Sequence, residues 1–213
     1  MYDLPHPLVL LENPLSNEIS KFLIKSKVLD YWQTKFRVSA SELSSLRYFK
    51  TDFMSLCHTH PLWTSCGKNS FEVTKAVVQA RFLSGRYRTE TLSSHFSPGN
   101  SLLCSICPED IIGSIEHILT ECSALKNTRT QLIKAFKNNV SYSIETKTII
   151  LQYLSASMEP MTQFLVDPSM IPKTILEVQR KNKNILSELF YFTRSWCYSM
   201  HLKRLHLQGK TVK

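Results

Sequence analysis

Four residues whose side chains bind soft or borderline metal ions lie close together in the order C-x2-C-x9-H-x4-C: Cys104, Cys107, His117 and Cys122. Three thiolates and one imidazole are a usual ligand set for a closed, four-coordinate structural zinc site, so one structural Zn2+ is the expected cofactor. Two cysteines separated by two residues can share one tight turn and present both sulfurs to one ion. Pro108 then directs the chain away, and Glu109, Asp110 and Gly113 supply turn chemistry in the returning loop. Two other readings compete: unrelated buried thiols beside a core or surface histidine, or disulfide bonds. Ligand type, ligand count and close spacing together favour zinc.

That spacing constrains the elements carrying it. A helix turns about 100° per residue, so positions five apart point roughly 140° away from each other. His117 and Cys122 therefore cannot both face one ion from an undistorted helix. The expectation is a short helix capped by Ser114 that carries His117 and ends or distorts before Cys122. A second helix, capped by Ser123 and starting at Ala124, should bury Leu125, Leu132, Ile133 and Phe136 and expose Lys126, Arg129 and Lys134. Upstream, Ser70 should cap a helix to Ser84 with Val73, Ala76, Val77, Ala80 and Leu83 inward and Gly85 as its stop. Arg86, Tyr87 and Arg88 follow that stop, and Arg81 lies one turn before it. Guanidinium groups contact phosphates and a tyrosine ring can stack on an unpaired base, which makes these four the candidate nucleic-acid-binding residues. The competing reading packs Tyr87 beside the metal module and leaves the arginines solvated.

The zinc segment, with SLRYFKTDFMSL (Ser45–Leu56), KAVVQARFLSGRYRTETLSSHFS (Lys75–Ser97) and EHILTECSALKNTR (Glu116–Arg129), resembles the carboxy-terminal region of non-LTR retrotransposon reverse transcriptases. That family carries a cysteine–histidine zinc segment downstream of its polymerase domain, and Cys104, Cys107, His117 and Cys122 match it residue by residue. LSELFYFTRSWCYSMHLKRL (Leu186–Leu205) is also similar to tails in such polyproteins. The resemblance implies a CCHC module that helps the polymerase hold element RNA or target DNA during target-primed reverse transcription. It also implies the polymerase part of the same polyprotein as a partner.

Composition agrees with a basic helical protein. Of 213 residues 43% are hydrophobic, which is not a disordered composition, and five glycines are too few for a turn-rich β barrel or a glycine-lined phosphate site. The formal charge is +9; a zinc centre with three thiolates would lower it only to +8, still favouring anionic partners. The expected fold is mainly α, an irregular multi-helix assembly around the CCHC module, with strand confined to short pieces beside the first two cysteines. Its expected divisions are a helical segment over 1–66, a helix plus zinc module over 67–140 and a helical segment over 141–213. Residues 1–14 read as an extended lead-in, 16–36 as a helix, and 41–49 as the start of another. Shorter helices are expected over 146–155 and 160–166. A long tract from Pro172 towards Leu205 should bury Ile185, Leu189, Phe192, Trp196, Met200 and the thiol of Cys197, with a break near 180–184.

Several chemistries find no support. Cys57, His58, His60 and Cys66 could suggest a second metal site, but Pro61 and Trp63 make this a packing turn. His95, in the turn-rich 95–103 connection, reads as a surface residue. There is no glycine-rich phosphate loop, no G-x-S-x-G and no Asp-Asp pair of a polymerase palm, so catalysis by this chain alone is not expected. No secretory signal or membrane-length apolar run precedes the cysteines; a reducing intracellular setting, nucleus or cytoplasm, is expected, with no membrane or small-molecule partner. Two functions remain: a module that binds single-stranded RNA or DNA, or a zinc-stabilised helical module for protein interaction.

Overall fold

The computed structural model describes residues 14–49, 58–97, 99–171 and 184–209, together with Val9 and Glu12. Helices dominate. Among the described residues the only strand-like pairing is one antiparallel bridge, Leu103 to Ile112, beside Cys104. A mainly α assembly was the expected class, and the short extended piece lies next to the first cysteine as anticipated.

The chain divides into two compact units, Met1–His58 and Thr59–Lys213. In the first, helix α1 (Asn17–Ser41) starts where Ser16 accepts a hydrogen bond from the Ile19 amide at 3.3 Å. It runs past the expected end at 36. The helix anticipated over 41–49 shrinks to a 3-10 turn, Ser44–Leu46.

The second unit contains α2 (Pro61–Thr64), α3 (Ser70–Leu83), α4 (Glu90–Phe96), α5 (Lys126–Asn138), α6 (Ile144–Leu154), α7 (Met158–Val166) and α8 (Ile185–Leu207). The expected breaks near 66 and 140 are not those of the structure. Leu62 and Cys66 pack with Ala76 of α3 and Phe190 of α8, so the turn before 66 belongs to the later core. Helix α8 packs most extensively on α3 and also touches α5, α6 and α7, which joins 67–140 to 141–213. Arg194, 1% exposed, reinforces that union by reaching Ser65 Oγ at 2.6 Å and Glu72 at 3.3 Å. The tract expected from Pro172 lies outside the described residues up to 183. From Ile185 onward the five anticipated stripe residues and Cys197 are all buried.

Local signals explain most boundaries. Asn69, one residue before the expected Ser70, caps α3 by accepting from the Phe71 and Glu72 amides. The helix ends at Gly85, whose φ of 63° is the left-handed conformation that glycine adopts at least cost. The buried face of α3 differs from the expected stripe: Val78, Gln79 and Phe82 join Ala76 and Leu83 inside, while Val73 and Val77 are partly exposed. Gln79 is tolerated there because its amide donates to Leu165 O, Val166 O and Thr193 Oγ1 at 2.9–3.1 Å. Apolar periodicity cannot register a buried polar residue whose amide is hydrogen-bonded, and so points the helix the wrong way. Helix α4 was not anticipated; Thr89 caps it by accepting from the Leu92 amide.

Candidate metal centre

The centre is built from a short hairpin and a distorted helix. In the hairpin the Cys104 amide donates to Ile111 O and the Gly113 amide to Leu102 O, both at 2.8 Å. This places Cys104 on the paired backbone and Cys107 on the intervening loop. Opposite it, the Ser114 hydroxyl accepts from the His117 amide at 3.2 Å, as expected of a cap. The helix then widens into a π turn over His117–Glu121, closed by the Cys122 amide on the His117 carbonyl at 2.7 Å. A π turn adds about one residue per turn, which brings positions five apart onto one side. The spacing conflict foreseen in the sequence is resolved in this way.

Ser123 does not cap the next helix as anticipated. Residues Ser123–Leu125 form a 3-10 turn, and the Ser123 hydroxyl donates to Glu109 at 2.6 Å across the loop. Arg129, expected to be solvated, is instead partly buried and donates to the Cys122 carbonyl at 2.8 Å, fixing the last ligand's backbone.

Cys104, Cys107, His117 and Cys122 each offer one ligand atom, and these atoms all lie within 4.8 Å of one another. The Cys104 and Cys122 sulfurs are 4.0 Å apart, and Cys107 Sγ is 3.3 Å from His117 Nε2. Together they could hold a metal ion. No other such group forms among the described residues. His60 instead caps α2 and faces Asp167 at 3.5 Å, and Cys66 donates to the Trp63 carbonyl; Cys57 lies outside the described residues. His95 is exposed and apart from the cluster. The five described cysteines are free thiols.

Before an ion binds, burial pushes the Cys107 thiol up to about 12, with hydrogen bonds to Cys104 and Glu109 adding to it, and burial likewise raises Cys122. Burial also lowers His117, which favours the neutral imidazole that a metal ligand requires.

A polar cluster ties the hairpin to the C-terminal helix. Glu90 Oε1 accepts from the Ser105 amide at 3.1 Å, the Ser105 hydroxyl at 2.5 Å and Arg204 Nη2 at 2.8 Å. Arg204 Nη1 donates to the Arg88 carbonyl at 2.6 Å, and Gln208 donates to Ser105 Oγ at 2.9 Å. Burial would raise the Glu90 carboxyl, but the Ser105 hydrogen bonds and the Arg204 guanidinium outweigh it and hold the group below its ordinary range. Further along α8, Trp196 Nε1 donates to the carbonyl of Leu119 within the π turn at 3.1 Å.

Beside this cluster lies a cleft of about 700 Å³ whose walls include Arg81, Arg86, Arg88 and Arg204. The first three are exposed, and among the described residues no carboxylate pairs with them. Tyr87 is different: it is 4% exposed and its ring stacks on Phe82 at 3.7 Å. Its hydroxyl meets His201 Nδ1 at 3.2 Å, and Arg204 lies over the ring at 5.5 Å. Its face is covered, so Tyr87 offers no platform to a base. The sequence left this open between stacking and packing, because Phe82 is close by in the chain but His201 and Arg204 come from α8, more than a hundred positions away. No helix among the described residues is long and apolar enough to cross a membrane. No family model, curated protein or solved structure matches the chain.

Proposed function

We propose that the chain is a zinc-organised nucleic-acid-binding module, similar in role to the tail of a non-LTR retrotransposon reverse transcriptase and without catalysis of its own. The donor set supports zinc as the metal. Tetrahedral bonds of about 2.3 Å to sulfur and 2.0–2.1 Å to nitrogen place sulfurs about 3.8 Å apart, and sulfur and nitrogen about 3.6 Å apart. The 4.0 and 3.3 Å separations depart from these by only about 0.2–0.3 Å.

The observation that carries nucleic-acid binding is the placement of exposed Arg81, Arg86 and Arg88 on one cleft that also reaches Ser105 in the metal loop. Unpaired guanidinium groups on a chain of formal charge +9 favour phosphates. Each phosphate contact contributes roughly −0.7 to the slope of log affinity against log salt for a single strand. The triple Arg→Ala variant of 81, 86 and 88 should therefore flatten that slope by about 2. The test is a salt titration of the parent, this triple variant and zinc-free Cys104→Ser with single-stranded RNA and DNA. A triple variant that binds as the parent does removes this surface from the reading. Exposed Leu102, Leu103, Ile111 and Ile112 on the hairpin favour the second reading, a protein-interaction module. That reading takes over if the folded parent binds no nucleic acid even at low salt.

A further inference from the structure

We infer that the cleft continues past Arg86 and Arg88 into a stacking subsite for one unpaired base, with Phe96 as its platform. The inference rests on the nucleic-acid reading and specifies single-stranded polynucleotide as the ligand. A second cavity of about 330 Å³ adjoins the arginine cleft, and Arg86, Arg88, Ser93 and Asn100 line both. Phe96, at the last position of α4, lines this second cavity but not the first. Phe96 is 77% exposed, among the most exposed large apolar side chains described. Burying a phenylalanine stabilises a fold, so one left in water forgoes that gain. Here the forgone contact is an open aromatic face beside two exposed guanidinium groups.

This is the pairing that recognises single strands without sequence preference: cations on the backbone and an aromatic ring under a base. Every base has a flat face, but a duplex hides it between neighbouring pairs. The subsite therefore distinguishes single strand from duplex, whereas the arginines alone do not. Ser93 and Asn100, on the wall common to both cavities, add neutral donors and acceptors between the phosphate and base positions.

The experiment measures affinities of the parent, Phe96→Ala and Phe96→Trp for oligouridine, oligothymidine and a duplex of equal length across a salt series. Phe96→Ala should bind both single strands about 5- to 150-fold more weakly, the equivalent of stacking worth about 1–3 kcal/mol. Its salt slope should match the parent's, because stacking releases no counterions, and duplex affinity should be unchanged. Phe96→Trp should bind as tightly as the parent or more so, with its added fluorescence quenched by the single strand. The uridine and thymidine arms report whether RNA or DNA is preferred at the same subsite. A parent that binds single strands while Phe96→Ala binds equally well overturns the subsite and leaves the arginine reading intact. Equal loss on single strand and duplex also overturns it. A parent without nucleic-acid affinity overturns both.

Discussion

Gly113→Ala should be among the most damaging small changes available in this protein. A Cβ at position 113 would press on Glu90 Oε2 and stand 2.8 Å from its Cδ and 2.9 Å from its Cβ. The carboxylate cannot swing away freely, since Arg204 and the amide and hydroxyl of Ser105 hold it at 2.5–3.1 Å. Rotation would also relieve only the first two contacts, because Glu90 Cβ is fixed to the first turn of α4. Overpacking costs about 1–3 kcal/mol, and breaking a buried ion pair costs about 3–5 kcal/mol by stranding the remaining charge. An expected loss of about 3–5 kcal/mol follows. Glu90→Ala alone should cost a similar amount through Arg204. In that background most of the obstruction is gone, so adding Gly113→Ala should cost under about 1.5 kcal/mol. The double variant should thus be at least about 1.5 kcal/mol more stable than the sum of the singles predicts, well beyond the usual additivity scatter of about 0.5 kcal/mol. Urea unfolding of the zinc-loaded proteins, followed by far-ultraviolet circular dichroism and tryptophan fluorescence together, measures all four corners. Additive losses, or a Gly113→Ala variant as stable as the parent, refute the reasoning.

Elemental analysis should find one zinc per chain, abolished by Cys104→Ser or His117→Ala and kept by Cys197→Ser, whose thiol is buried in α8; none, or two, would contradict the site. Because structural zinc contributes on the order of 10 kcal/mol in small modules, a chelator should unfold at least residues 100–135, read by hydrogen exchange. Cys107 and Cys122 are raised and hence protonated at neutral pH, whereas lowered His117 is already neutral. Zinc must displace the two thiol protons, so log affinity should climb with pH by at least about 2 per unit through neutrality, and a slope near 1 would exclude this state of the site. Trp196→Phe leaves the buried Leu119 carbonyl without its donor and should cost about 1–3 kcal/mol, measured by urea unfolding; an unchanged midpoint would mean that the carbonyl finds another partner.

The metal centre was readable because its information is local. Ligand type and spacing fall within nineteen residues, from Cys104 to Cys122, and helix geometry alone demanded the distortion now seen as a π turn. Helix α8 from Ile185 onward was readable for the same reason, since its buried residues repeat at helical spacing. What failed depended on distant partners. Tyr87 stayed open between stacking on a base and packing inward until Phe82, His201 and Arg204 were seen to cover it, and the inward face of α3 turned on hydrogen bonds from Gln79 to residues 86 to 114 positions away. Phe96 gave no signal, because one aromatic residue in a turn-rich stretch looks alike whether it is buried or open. The only available hint was its neighbourhood of arginines, eight and ten residues earlier.

The π turn does more than align two ligands. By leaving the Leu119 carbonyl to Trp196, it makes one attachment between the metal centre and α8, while the Glu90–Ser105 cluster makes a second at Arg204. Those two α8 residues are eight positions apart, about 12 Å along the helix axis. A rod pinned once can still pivot or roll, but a rod pinned at two separated points on one side can do neither. An ion held by the four ligands would therefore steady, through these two attachments, a helix that supplies none of its ligands, setting the tilt and the rotation of this 23-residue rod.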